Sequence, residues 1–201
     1  MNKVRRAVVC GSLALVACSL SRPMATPASY VVEPISGPLA NTRQQKTMRV
    51  GNVRVASSFA GIELVYRIDD VRYTQDFYNR FIAPPGPMIG YRIAEWLARS
   101  GPYHMVITPG AIVSTAYVLD GVVTELYGDF RSEEKPAAVM TLQFYVLDVS
   151  QVTERIVLER SISRRVDLPQ SSAAEVVRGY NVALGQILVE LSEEMARSGP
   201  K

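Results

Sequence analysis

Between residues 138 and 147 the chain alternates without a break. Ala138, Met140, Leu142, Phe144 and Val146 fall on one side, and Val139, Thr141, Gln143, Tyr145 and Leu147 on the other. A period of two is the signature of a β-strand. One side is wholly apolar, which places this strand centrally in a sheet, against helices. A long run precedes it, Ala116–Phe130, with Tyr117, Leu119 and Val123 on one face. The charged turn Arg131-Ser132-Glu133-Glu134-Lys135-Pro136 separates the two. After a polar connection over 148–154, Ile156, Leu158 and Ile162 alternate again, with Arg155, Arg160, Arg164 and Arg165 among them. The three runs predict an antiparallel meander with strands of about ten residues or more.

Two helices accompany it. Pro87 suits a first helical turn, where a missing N–H is harmless. Ile89, Ile93, Trp96 and Leu97 then recur at helical spacing and form one apolar face. Gly101 is placed for a left-handed C-terminal cap, and Pro102 blocks continuation. Near the C-terminus, Ser171 or Ser172 can cap a second helix, with Glu175 in reach of a capping box. Val177, Tyr180, Leu184, Ile187, Leu188 and Leu191 make its apolar stripe. Gly179 and Gly185 lie inside it, each costing about 0.8–1 kcal/mol relative to alanine, so close packing against another element is expected there. Residues 197–201 should fray.

Shorter β-prone runs occupy Tyr30–Val32, Thr47–Val55, Glu63–Ile68, Val71–Tyr73 and His104–Thr108. Asp69 and Asp70 join two of them. Adjacent carboxylates can serve acid/base chemistry or a metal, but at a turn they read first as turn formers. The aromatic residues Tyr73, Phe77, Tyr78 and Phe81 run into Pro84-Pro85-Gly86-Pro87, a strand followed by a Pro-rich elbow. These aromatics read first as core. The competing reading makes Phe77, Tyr78, Phe81, Pro84 and Pro85 a contact for a partner or a lipid.

The amino terminus sets the compartment. Lys3, Arg5 and Arg6 precede an apolar or small stretch over 7–17, and no acidic residue appears before Glu33. That is the pattern of an export signal, and the apolar run is too short to span a membrane, which takes about 20 residues. Leu15-Val16-Ala17-Cys18 resembles the lipobox of bacterial lipoproteins, in which the cysteine thiol takes a diacylglyceryl group. The chain is then cut before the cysteine and its new amino group is acylated. Residues 1–17 are therefore expected to be a lipoprotein signal peptide and 18–29 an acylated cysteine with a flexible tether. A single folded domain over 30–196 follows. Ser19–Ser29 contains two prolines and no hydrophobic period, and reaches at most about 36 Å when extended.

Cleavage changes the balance of charge. The full chain carries 22 Lys and Arg against 19 Asp and Glu; losing Lys3, Arg5 and Arg6 leaves 19 of each. The sequence pI of about 8.9 is thus largely the signal's and gives no support to nucleic-acid binding, so no nucleic-acid partner is expected. Cys10 leaves with the signal, so Cys18 is the sole remaining cysteine and no intramolecular disulfide can form. An apolar core alone must hold the domain.

Motifs for chemistry are missing. The one histidine, His104, has no nucleophile signature with it. A metal is not expected, since neither a second histidine nor a free cysteine is present. No phosphate-binding Gly-Lys loop or dinucleotide fingerprint occurs. The expectation is no enzyme and no cofactor beyond the covalent lipid.

Taken in order, a lipobox, a short first strand, an aromatic run into a Pro-Pro elbow and helix, a long-stranded meander and a closing helix resemble the ABC-type transport auxiliary lipoproteins, the paraquat-inducible protein C-like family. The resemblance runs from about Tyr30 to Glu194. Its most specific pieces are Phe77-Tyr78-Asn79-Arg80-Phe81 with Pro84-Pro85, and Tyr117-Val118-Leu119-Asp120-Gly121.

The resemblance implies an α/β (α+β) fold, a largely antiparallel mixed sheet with two amphipathic helices packed on it. It implies a non-catalytic accessory subunit of a system that moves lipids or other hydrophobic molecules across the periplasm. The partners would be a mammalian-cell-entry (MCE) domain protein, an ABC transporter permease and ATPase, and the phospholipid membrane; a homo-oligomer is compatible with it. The anchor would be the periplasmic face of the outer membrane, because Ser19 is not the aspartate associated with inner-membrane retention in enteric bacteria. The alternative is a structural or assembly lipoprotein of another outer-membrane complex, of the lipopolysaccharide exporter or secretin type, without lipid transport.

Overall fold

A computed structural model describes residues 26–35, 37, 44–111 and 113–198. The expected signal peptide, Cys18, most of the tether and residues 199–201 lie outside the described residues.

Eight strands form one mixed, mostly antiparallel sheet: β1 (Ala28–Tyr30), β2 (Gln44–Val55), β3 (Glu63–Arg67), β4 (Tyr73–Phe81), β5 (Tyr103–Ile107), β6 (Tyr117–Asp129), β7 (Ala137–Asp148) and β8 (Arg155–Asp167). Helices α1 (Pro85–Ser100) and α2 (Ala173–Ser198) complete an α+β fold. The predicted meander is present, with β6, β7 and β8 paired antiparallel along their lengths. Strand β7 is central, and Ala138, Met140, Leu142, Phe144 and Val146 are all buried beneath α2.

Strand β6 is the hinge of the topology. One of its edges is filled by β7. The other is shared, parallel to β2 over Tyr117–Val123 and parallel to β3 at Gly128 and Asp129. Two branches therefore leave the same edge. Strands β2 and β5 carry α1, whereas β3 leads outward to β4 and then β1. Strand β2 bulges between Val50 and Val53, opposite Leu119 and Gly121 of β6. There Asn52 N donates to Asp120 Oδ1 at 3.2 Å, and a β-carbon on Gly51 would lie 2.0 Å from the same oxygen. The Asp120-Gly121 pair of the long strand thus seats a bulge in its neighbour.

The apolar stripes do what their spacing requires. Ile89, Ile93, Trp96 and Leu97 of α1, and Val177, Tyr180, Leu184, Ile187, Leu188 and Leu191 of α2, are buried in one core. The segment after β1 ties the helices together, since Glu33 N donates to Asn181 Oδ1 at 2.8 Å while its carboxylate pairs with Arg92. Ser172 is the α2 cap, its Oγ accepting from Glu175 N at 3.4 Å. The Glu175 carboxylate turns to Arg178 rather than back to the cap.

Three local expectations need correction. The opening strand covers Ala28–Tyr30 rather than Tyr30–Val32, and so takes in the end of the expected tether. Gly101 ends α1 in an extended conformation, φ −81° and ψ 165°, not a left-handed one. The chain passes straight into β5, and the glycine is required by space: its β-carbon would lie 2.5 Å from the Leu97 carbonyl oxygen that its own N–H contacts at 2.8 Å. Among the described residues the positive-φ position is Gly110, in the turn after β5. Val71–Tyr73 is not a strand of its own. Asp69 Oδ1 accepts from Val71 N at 3.0 Å and Arg72 N at 2.7 Å, drawing both into the turn, and β4 begins only at Tyr73.

Candidate interaction surface

Strand β4 carries the aromatic run, and its pairing with β3 is interrupted. Leu64 lies opposite Asp76, but Glu63, one residue back, lies opposite Arg80. Three residues of β4 are therefore without partners on β3 and bulge out. Asp76 holds the bulge. Its Oδ1 accepts from Tyr78 N and Asn79 N, both at 3.0 Å, and its Oδ2 accepts from Asn79 Nδ2 at 2.8 Å and Tyr66 Oη at 2.9 Å. Partial burial works against the Asp76 charge, but the four donors outweigh it and hold the carboxyl below its usual range. Burial, reinforced by the bond to Asp76, pushes the Tyr66 phenol well above its ordinary value, so it remains a donor.

The bulge divides the nominated residues. Phe77 is 72% exposed and Tyr78 54% exposed. Phe81, where pairing has resumed, is 3% exposed, with its ring centroid 6.3 Å from that of Tyr180 in the core. Pro85 is buried at the start of α1, and Pro84 before it is exposed. The five residues are not one surface: Phe77 and Tyr78 face outward, and Phe81 and Pro85 face inward. The signal that separates them is Asp76, one residue before the aromatic pair, and it was not singled out in the sequence.

The acidic turn pair is accounted for by bonding. Backbone donors at Val71 and Arg72 lead the lowering of the Asp69 pKa, while Asp70 bonds Arg131 at 3.0 Å. Arg131 in turn binds Asp129, which is 1% exposed and also takes Arg165. Hydrogen bonds from Arg131 depress the Asp129 pKa far below the carboxylate range, burial opposes this, and Arg165 adds to the lowering. The network fastens the ends of β6 and β8 to the β3–β4 turn. It is structural. His104 lies exposed on β5, and no cluster of metal-ligating side chains occurs among the described residues.

Two open clefts on the described surface have mixed linings. One, between β8 and α2, sets Val189 among Arg164, Gln186, Glu190, Glu193, Glu194 and Arg197, with Arg164 paired to Glu190 and Arg197 to Glu194. Another, beside the β2 bulge, sets Val118, Leu147 and Val149 among Arg49, Asn52, Asp120 and Glu154.

The sheet carries α1 on β2 and β5 and α2 on β7 and β8, with an outward aromatic bulge on β4. The chain belongs to the family of ABC-type transport auxiliary lipoprotein components, whose model matches residues 30–192. Among solved structures it is similar to protein XCC0632 from Xanthomonas campestris, at 18% identity and TM-score 0.73, covering 85% of this chain and 97% of that one. It is also similar to a protein whose structure is described as uncharacterized, at 21% identity and TM-score 0.63, covering 86% and 97%. At these identities the likeness is one of fold. No curated protein matches the chain.

Proposed function

We propose that this protein is a non-catalytic accessory subunit of an MCE/ABC-type transport system for lipids or other hydrophobic molecules. In this reading it is acylated at Cys18, held on the periplasmic face of the outer membrane, and docks the MCE assembly there. The observation that carries the reading is the family match, which runs from β1 into the last turns of α2 and so takes in the whole folded body. Phospholipid transport requires a hydrophobic path, and on this reading the partners supply it.

Cross-linking in intact cells, purification of the acylated protein from membranes and mass spectrometry of what accompanies it tests the proposal. Recovery of an MCE-domain protein is the expected result. Recovery of an outer-membrane barrel or secretin subunit without any MCE protein would overturn it in favour of an assembly lipoprotein.

A further inference from the structure

We infer that Phe77 and Tyr78 form a second, non-covalent membrane contact, seated in the interfacial layer of the same phospholipid bilayer that holds the acyl chains of Cys18. The inference rests on the lipoprotein reading above.

The bulge is a built feature. All four hydrogen bonds of the Asp76 carboxylate are spent on holding its geometry, and the result is to keep two large aromatic side chains in water. Strand β1 covers β4 only from Asn79 onward, so the bulge stands at a partly open edge, where native sheets commonly set charged side chains to discourage association. Here the tip is aromatic, which invites it.

The path of the chain selects the bilayer as the occupant. Strand β1 pairs parallel to β4, with Ala28 opposite Asn79 and Tyr30 opposite Phe81. Because the strands are parallel, following the chain backward from Ala28 leads along β4 toward Tyr78 and Phe77. Thr26 and Pro27, both exposed, thus leave the sheet on the side of the bulge. Seven residues separate Thr26 from Cys18, eight steps with a contour of at most about 28 Å. The anchor therefore holds this edge of the sheet, rather than the far ends of β6–β8, next to the membrane.

The chemistry suits that position. Tyrosine has an apolar ring and a polar tip and favours the membrane–water interface, phenylalanine supplies apolar surface just below it, and the exposed Arg80 lies within reach of the phosphate layer. A two-point attachment would also fix the orientation of the domain, presenting the remaining surface to the periplasm.

The test uses the acylated full chain carrying Phe77→Trp, reconstituted in vesicles of phosphatidylethanolamine and phosphatidylglycerol, with and without brominated acyl chains. Acylation at Cys18 is checked by mass spectrometry of the same preparation. Trp96, buried in the core, provides a constant background. Val152→Trp, on the fully exposed β7–β8 connection, is the reference. Tyr78→Trp repeats the measurement independently. The expected result is a blue shift of the introduced indole at 77 or 78 and at least about twofold quenching by brominated lipid, with the Val152→Trp signal unchanged. Emission at both positions that matches Val152→Trp, in acylated and vesicle-bound protein, would overturn the proposal. A blue shift without bromine quenching would also overturn it, because the side chains would then be covered by protein. Absence of the acyl mass at Cys18 would instead overturn the anchoring reading, and this inference with it.

Discussion

Gly179 of α2 rests on Ala138 of β7 so closely that a β-carbon on the glycine would lie 2.5 Å from the alanine Cβ, and 2.9 Å from Leu168 Cδ2. The helix accepts a residue that weakens it because the sheet leaves no room for any other. Gly179→Ala should therefore destabilise by about 1–3 kcal/mol despite its gain in helix propensity. At Gly185 the nearest atom to an added β-carbon is the Ile35 carbonyl oxygen at 3.4 Å, an ordinary contact. Gly185→Ala should be neutral or stabilising by up to about 1 kcal/mol. Urea melts of the two variants check the contrast.

Phe81 and Phe77 are four residues apart on one strand and should respond oppositely to truncation. Phe81→Ala removes a core ring against Tyr180 and is expected to cost about 3–5 kcal/mol. Phe77→Ser removes an exposed ring and should change stability by no more than about 0.5 kcal/mol. Thermal unfolding of the two proteins distinguishes them, and a large loss for Phe77→Ser would show that the bulge is packed rather than exposed.

Acid should loosen the β6–β8 end of the sheet. The folded-state pKa of Asp129 lies below its unfolded value, as does that of Asp76. Such groups contribute stability that is complete above the unfolded pKa of about 3.9 and is lost as pH falls through the folded pKa. Unfolding free energy should thus decline from about pH 4 downward, and Asp129→Asn should flatten that decline. At neutral pH the same substitution should cost about 2 kcal/mol. That is less than the 3–5 kcal/mol of a fully buried pair, because Arg131 and Arg165 are partly solvated. Denaturant titrations at pH 7 and pH 3 provide the measurement.

Cys18→Ser should move the protein from the membrane fraction to the soluble periplasmic fraction, or leave it uncleaved in the inner membrane. Fractionation of cells expressing each form, with acyl-group labelling, reads this directly. The aromatic pair alone cannot hold the domain, since two exposed rings contribute less than a single acyl chain, which itself binds only marginally.

Much of the architecture is legible in the chain because strand and helix periods are local. The alternation of Ala138–Leu147, the stripe from Val177 to Leu191 and the Ile89–Leu97 face each specify an element and its buried side within a few residues of sequence. The close packing at Gly179 is legible from a residue that costs helix stability, but the same signal misleads at Gly185, where the nearest atom stands at an ordinary 3.4 Å.

What could not be read from the chain is which edges meet. Backbone hydrogen bonds are the same for every residue type, so the sharing of one β6 edge between β2 and β3 leaves no mark in the sequence. The division of the aromatic run leaves one mark, Asp76, since Phe77 and Phe81 are themselves the same residue four positions apart. Their fates diverge through the Asp76 carboxylate, three of whose bonds are local to β4 while the fourth forms only once β3 brings Tyr66 beside it. Local chemistry dictated the elements and their buried faces; their pairing, and the exposure of Phe77 and Tyr78 at the β4 bulge, were completed by contacts between residues that become neighbours only on folding.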